Sequence, residues 1–135
     1  MEIFGTPRLA DIWGIDRNRL QNWIKAGHVA PSVQQATGTG TRNLWSVDDA
    51  YALGVFVELI GRGTCLDDAA CVLRRLSRLR AEFDLSEYRY LCFWDDFRRE
   101  FDLSNGVPLK QVSESRTLLV INLAEIKRHV DERAK

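Results

Sequence analysis

Six side chains suited to reading or gripping a nucleic acid fall within nine residues: Arg17, Asn18, Arg19, Gln21, Asn22 and Lys25. Gln and Asn can each make two hydrogen bonds to adenine in a major groove, and Arg can do the same with guanine. A lysine neutralises phosphate without reading sequence. A seventh side chain, Arg42, follows the run Gly38-Thr39-Gly40-Thr41. A cation on such a glycine-flanked projection can approach phosphates or an adjacent minor groove. Between the polar positions, Leu20, Trp23 and Ile24 recur at i, i+3 and i+4, which is the spacing of a helix held to a body by its apolar side.

Other constellations carry less. Cys65, Cys71 and Cys92 lack C-x-x-C spacing, and His28 and His129 have no ligand-type neighbour in sequence, so no metal site is expected. Cys71 follows Cys65 by six residues, which puts the two on opposed faces of a helix. Cys65 near a helix start is a redox-sensing candidate, outweighed by buried or incidental thiols. Asp48-Asp49 and Asp67-Asp68 fall at helix starts, where carboxylates complement the macrodipole; Asp95-Asp96 reads as a turn. The chain has no glycine-rich phosphate loop, nucleophile elbow or His–carboxylate constellation. It is therefore expected not to be an enzyme and to need no cofactor. Trp13, Trp23 and Trp45 read as packing rather than a ligand cage. Tyr88, Tyr90, Phe93, Trp94 and Phe97 read as a strand core or dimer surface rather than a small-molecule pocket. The row Arg74, Arg75, Arg78 and Arg80 reads as a solvated helix face.

The elements that must position these residues follow from local signals. Thr6-Pro7 is a cap hydroxyl followed by proline at a first helical position, and Leu9, Ala10, Ile12 and Trp13 supply two turns before Gly14 stops them. Asp16 caps a second helix, which Gly27 ends; the short link from Gly14 to Asp16 suits a helix-turn-helix. Residues 31–43 have no helical period and read as a hairpin or wing. Ser46 or Asp48 caps a third helix with Ala50, Leu53, Val57 and Ile60 in one stripe. Thr64 opens a fourth with Leu66, Ala69, Ala70, Leu73, Leu76 and Leu79. Residues 88–94 read as a strand, 97–103 as a strand or helical turn, and 107–112 as a short edge segment after the Asn105-Gly106 turn. Residues 117–121 read as a buried strand, and Asn122 caps a last helix carrying Leu123, Ile126 and Val130. The fold class expected is mainly α with small β content. It comprises a winged helix-turn-helix domain at residues 1–81 and a small α+β segment at 82–135 for dimerisation or effector binding.

The chain has 135 residues, with 19 basic and 19 acidic side chains. That length suits one ordinary domain, or a small domain with an appendage. Neutrality excludes a uniformly basic coat protein and an acidic disordered tail. Residues 1–81 hold 10 basic and 8 acidic side chains, a net +2, while residues 82–135 hold 9 and 11, a net −2. Few cysteines and the lack of a signal-like start point to a reducing cytoplasm, and no apolar run approaches the roughly 20 residues of a membrane span.

The run Leu9-Ala-Asp-Ile-Trp-Gly-Ile-Asp-Arg-Asn-Arg-Leu-Gln-Asn-Trp-Ile-Lys-Ala-Gly-His-Val-Ala-Pro-Ser32 resembles the MerR-type winged-helix family of transcription regulators. So do Gly38–Asp49 (GTGTRNLWSVDD) and Gly61–Ala69 (GRGTCLDDA), and the likeness covers about residues 5–80. It implies a sequence-specific regulator that binds double-stranded DNA, with a recognition helix at 17–26 in the major groove and a wing at 38–45 on the backbone. The residues it assigns to DNA are Arg17, Asn18, Arg19, Gln21, Asn22, Lys25 and Arg42. Two departures stand out. Gln21-Asn22-Trp23 replaces the family's Arg-aromatic-aromatic run, and no long antiparallel dimerisation helix is evident. Regulators that read two half-sites act as dimers, so a homodimer is expected through residues 117–121 or the aromatic strand, with any small-molecule effector unknown. The runner-up is a protein-interaction module, an antitoxin or phage-type adaptor, that docks a protein on the winged helix.

Overall fold

The computed structural model describes residues 2–82, 87–94, 101–106, 113–114 and 116–134. Among these the chain is a mixture of helix and strand, beginning with strand β1 (Ile3–Gly5), helix α1 (Thr6–Trp13) and helix α2 (Arg17–Lys25). Strand β2 (Leu44–Ser46), helix α3 (Val47–Gly61) and helix α4 (Leu66–Glu82) follow. The carboxy-terminal part holds strands β3 (Tyr90–Trp94), β4 (Asp102–Ser104) and β5 (Leu118–Asn122), then helix α5 (Leu123–Arg133).

Strand β1 pairs antiparallel with β2, with Phe4 opposite Trp45. At three residues it is too short to show a period. The pairing also changes the role of Thr6, which the sequence suggests as a cap. Gly5 is the cap residue, and Thr6 is buried inside the first turn, where its hydroxyl accepts a 3.0 Å bond from Trp45 Nε1. A buried indole N–H needs an acceptor, and this demand outweighs the local capping preference.

Helix α1 stops at Gly14, whose φ of 63° is left-handed and which sends its N–H back to Asp11. Asp16 then caps α2 by accepting from the Asn18 and Arg19 amides at 2.9 and 3.1 Å. Ser46, rather than Asp48, caps α3 in a reciprocal box with Asp49. Helix α4 begins at Leu66, later than Thr64 suggests, and Leu66 is exposed instead of heading the apolar stripe.

The second sheet has the order β4-β3-β5, both pairings antiparallel. Residues 117–121, expected as a buried strand, form part of a half-exposed one: Ile121 is buried, whereas Val120 is 40% exposed. The strand lies beside the central β3 and is covered on one side, which accounts for the difference. Of residues 97–103, the strand expectation holds for the last two, in β4; residues 97–100, the 107–112 segment and Asp95-Asp96 lie outside the described residues.

One apolar cluster runs through both parts of the chain, joining Leu9, Leu20, Trp45 and Phe56 to Leu91, Phe93, Ile126 and Val130. Among the glycines, Gly54 in α3 is the most closely approached. A Cβ there would meet the Trp13 indole at 2.6 Å and Ile126 Cγ2 at 2.9 Å. Glycine costs a helix interior about 0.5–1 kcal/mol against alanine, so this position holds a residue that helix propensity alone disfavours. Around it Trp13 Nε1 donates to the Ala50 carbonyl at 2.8 Å and its ring stacks on His129 at 4.2 Å.

Two measurements follow. Gly54→Ala forces Trp13 or Ile126 to move and is expected to lower unfolding free energy by about 1–3 kcal/mol. Gly61→Ala, with open space around it, is expected to be neutral or to gain up to about 1 kcal/mol; urea midpoints compare the two. The Tyr51 hydroxyl, which donates to Asp131 at 2.7 Å, has its pKa raised well above the ordinary 10.0 by burial and then by that bond. A raised folded-state pKa stabilises fully below about pH 10 and is lost as pH rises through the alkaline range. Stability measured from about pH 8 to about pH 11 should fall more steeply in the natural chain than in Tyr51→Phe. Cys92, whose thiol burial also pushes up, is present in both.

Candidate nucleic-acid interface

Helix α2 turns 100° per residue, so Arg17, Gln21 and Lys25 form one row and Asn18 and Asn22 an adjacent row. All five are exposed, while Leu20 and Trp23 are buried on the other side. Trp23 meets Phe56 of α3 edge-on, with ring centroids 4.9 Å apart. The apolar side thus fixes the rotation of α2, and the rotation brings these five candidate residues onto one outward surface. Arg19 stands apart: it is exposed, but its guanidinium lies 5.0 Å over the Trp23 ring, at the flank of the polar rows. Arg17 reaches Asp11 at 3.4 Å, both groups being well exposed. Such a pair is worth little in water and exchanges readily for a stronger anion.

Helix N-termini are general anion sites, and the start of α2 lies beside these rows. Here the Asp16 carboxylate already occupies the Asn18 and Arg19 amides. An anion approaching this end of α2 would meet side chains before those two amides. The α4 start carries Asp67 and Asp68 in its first turn and is similarly screened.

Arg42 sits in the loop between Gln34 and Leu44, which exchange two main-chain bonds at 3.3 and 2.9 Å. Within it Gln34 Nε2 donates to the Arg42 carbonyl at 2.8 Å, the Asn43 side chain accepts from the Ala36 amide, and the Thr41 hydroxyl bonds both to the Thr37 amide and to the Gly38 carbonyl. Gly38 and Gly40 have φ of 142° and 87°, conformations that side chains resist. The loop is thus shaped by its own polar groups, with Arg42 exposed.

Sequence reasoning missed the clasp at its base. Asp49 is buried, and its Oδ2 accepts from the Ser32 amide, the Ser32 hydroxyl and the Ser46 amide at 2.8–2.9 Å. The macrodipole argument placed Asp49 at a helix start; the spacing Ser46-x-x-Asp49 was the available signal for the clasp. A second tie joins His28 Nε2 to Asp67 at 3.0 Å, fastening the segment after α2 to α4. Of the thiols, Cys65 is exposed and Cys92 buried, and Cys71 accepts from Arg74 at 3.0 Å. Among the described residues, no three or more His, Cys, Asp or Glu side chains gather in a metal-holding group. No helix is long and apolar enough to cross a membrane.

Removing the clasp tests its weight. Asp49→Ala leaves the Ser32 and Ser46 amides unpaired and is expected to cost about 1–3 kcal/mol, whereas exposed Asp48→Ala should stay within about 0.5 kcal/mol. Urea unfolding of the two variants gives the comparison.

No family model matches the chain. It is 30% identical over 80 residues to an uncharacterized HTH-type transcriptional regulator of Mycobacterium bovis, and equally to counterparts from two strains of Mycobacterium tuberculosis. The match takes in 59% of this chain but spans only 35% of each of those relatives. The chain is thus similar to proteins named for a helix-turn-helix, and its own α1 and α2 are two helices joined by a short turn at Gly14.

Proposed function

We propose that this chain is a sequence-specific DNA-binding transcriptional regulator of MerR-like type, acting as a dimer. Helix α2 enters the major groove, and residues 38–45 serve as a wing on the backbone. The observation that carries this reading is the exposed double row Arg17-Gln21-Lys25 and Asn18-Asn22 on a helix whose opposite side is locked by Leu20 and Trp23. Fixed rotation matters because base edges accept side chains only from one direction. Gln21 and Asn22 read bases, Arg17, Asn18 and Arg19 read or approach them, and Lys25 and Arg42 neutralise phosphate. The names of the relatives agree with this reading, and they are names of regulators rather than of enzymes.

Selection of bound duplexes from a random library should return an inverted repeat. Arg42→Ala is expected to weaken all duplexes alike and to lower the slope of log K against log salt by about one. Gln21→Ala or Asn22→Ala should instead relax preference at one base, at a cost of about 1–3 kcal/mol there. Unchanged low-salt affinity in an Arg19→Ala, Arg42→Ala double variant overturns the reading. A flat salt dependence of binding to a captured protein, with no duplex selected, supports docking of a protein on the same helix instead.

A further inference from the structure

The arginine row of α4 divides in the folded chain. Arg75 is half-buried, with its guanidinium 5.0 Å over the Phe101 ring. Arg74 and Arg80 instead line a cleft of about 350 Å³ between α4, α3 and the segment Gly27–Ser32 that follows α2. They stand six residues apart, about 9 Å along the helix axis, with Ser77 between them on the same wall. Among the described residues neither has a carboxylate partner; Arg74 reaches the Cys71 sulfur at 3.0 Å, a weak acceptor. One carboxylate, Asp49, belongs to the lining, and its Oδ2 is already held by the Ser32 and Ser46 amides and the Ser32 hydroxyl.

The rest of the lining is mostly apolar. Val29, Trp45 and Leu53 are buried yet line the cleft, so they form its floor, and half-buried Ala52 and Leu73 flank them. His28 contributes a polar wall. Its Nε2 is tied to Asp67, while its Nδ1 is buried and has no hydrogen-bond partner among the described residues. Such atoms are few in native structures.

We infer that this cleft binds a small organic anion, its aromatic or aliphatic body on the floor of Val29, Trp45 and Leu53 and its carboxylate or phosphate head between Arg74 and Arg80. Sites for small ligands run from roughly 300 to 1,000 Å³ and combine apolar walls with a few placed polar groups. A guanidinium fork matches carboxylate and phosphate oxygens, and such an anion displaces a thiol as the acceptor of Arg74. An uncharged ligand leaves both guanidinium groups unanswered. A duplex backbone answers them but brings no apolar body to a recess floored by Trp45 and Leu53. The site goes beyond the proposed function and stands without it.

Amide and indole resonances of the full chain report occupancy. 1-Naphthoate, decanoate and phenyl phosphate supply an aromatic, an aliphatic and a phosphorylated anion. At least one should give saturable shifts centred on residues 27–32, 45–53 and 73–80, with Kd below about 1 mM. If that anion is a carboxylate, its neutral amide should bind about tenfold more weakly or worse; if it is phenyl phosphate, phenol should. Arg74→Gln with Arg80→Gln should weaken the anion by about tenfold or more and leave the neutral compound unchanged. Ser77→Glu, which offers both arginines a carboxylate three residues away, should weaken the anion as well. Arg78→Gln, exposed and outside the cleft, should bind as the natural chain does. Failure of all three anions to give saturable shifts overturns the inference, as does binding indifferent both to the double variant and to Ser77→Glu. A duplex that shifts residues 74–80 where no small anion does assigns the two cations to phosphate and overturns it too. Anion binding in a chain that selects no duplex leaves the cleft standing and removes the DNA reading.

Discussion

Three helices meet where α3 has no side chain. Gly54 lets the Trp13 indole from α1 and the Ile126 methyl from α5 lie against the α3 backbone at separations that any Cβ would forbid. Once there, Trp13 bonds the Ala50 carbonyl and stacks on His129, and His129 Nε2 lies 2.8 Å from the Ile12 carbonyl. That carbonyl belongs to the last turn of α1, where an acceptor otherwise lacks a helical partner. The carboxy-terminal helix thus finishes the end of α1 from which Gly14 launches α2. Arg8 donating to the Arg133 carbonyl at 3.1 Å and Tyr51 bonding Asp131 repeat the tie at the far end of α5. Position and packing of the candidate interface depend on a contact at the opposite end of the sequence.

Much of this was legible in sequence, and the parts that were share a cause. Asp16, Gly14, Ser46 and Asn122 act through neighbours within four residues, so capping and turn chemistry located α2, α3 and α5 correctly. The apolar spacing of Leu20 and Trp23 gave the buried side of α2, and hence which candidate residues face outward. What escaped is long-range. Thr6 has a local signal for a cap, yet Trp45, thirty-nine residues away, takes its hydroxyl as an acceptor. His129 looked solitary because its partners, Trp13 and Ile12, lie more than a hundred residues earlier. Gly54 reads as a mild defect in a helix until the two side chains that need its emptiness are known. Val120 sits in an apolar run that reads as buried, and only the sheet order shows it at an edge.

The electrostatics of α2 follow from the same local chemistry. With Asp16 holding its first amides, the helix meets an anion through Arg17, Lys25 and the flanking Arg19, and Asp11 already offsets Arg17. A chain with 19 charges of each sign supplies little background attraction to phosphate. Under the proposed function, non-specific affinity of one copy is then low, and discrimination rests on base contacts and on joining two copies. Overall neutrality is a statement about background affinity, and under the proposed function it leaves the double row on α2 intact as a reading surface.

Under the proposed function, joining two copies carries a geometric consequence. Asn122 ends β5 and caps α5 in the same residue, so no linker separates the second sheet from the helix that Trp13 and His129 fasten to α1. From α1 the path to α2 is Gly14 and two further residues, held by the Ile15 amide bonding the Ala10 carbonyl at 2.9 Å. Each step is a short, hydrogen-bonded or stacked connection rather than a flexible tether. Separation and relative rotation of two α2 helices in such a dimer are set by packed elements, and a rigid pair matches only half-sites spaced to suit it. Correct half-sites at another spacing engage one copy at a time and gain nothing from the second, which makes spacing as strong a determinant of selectivity as any base contact on α2.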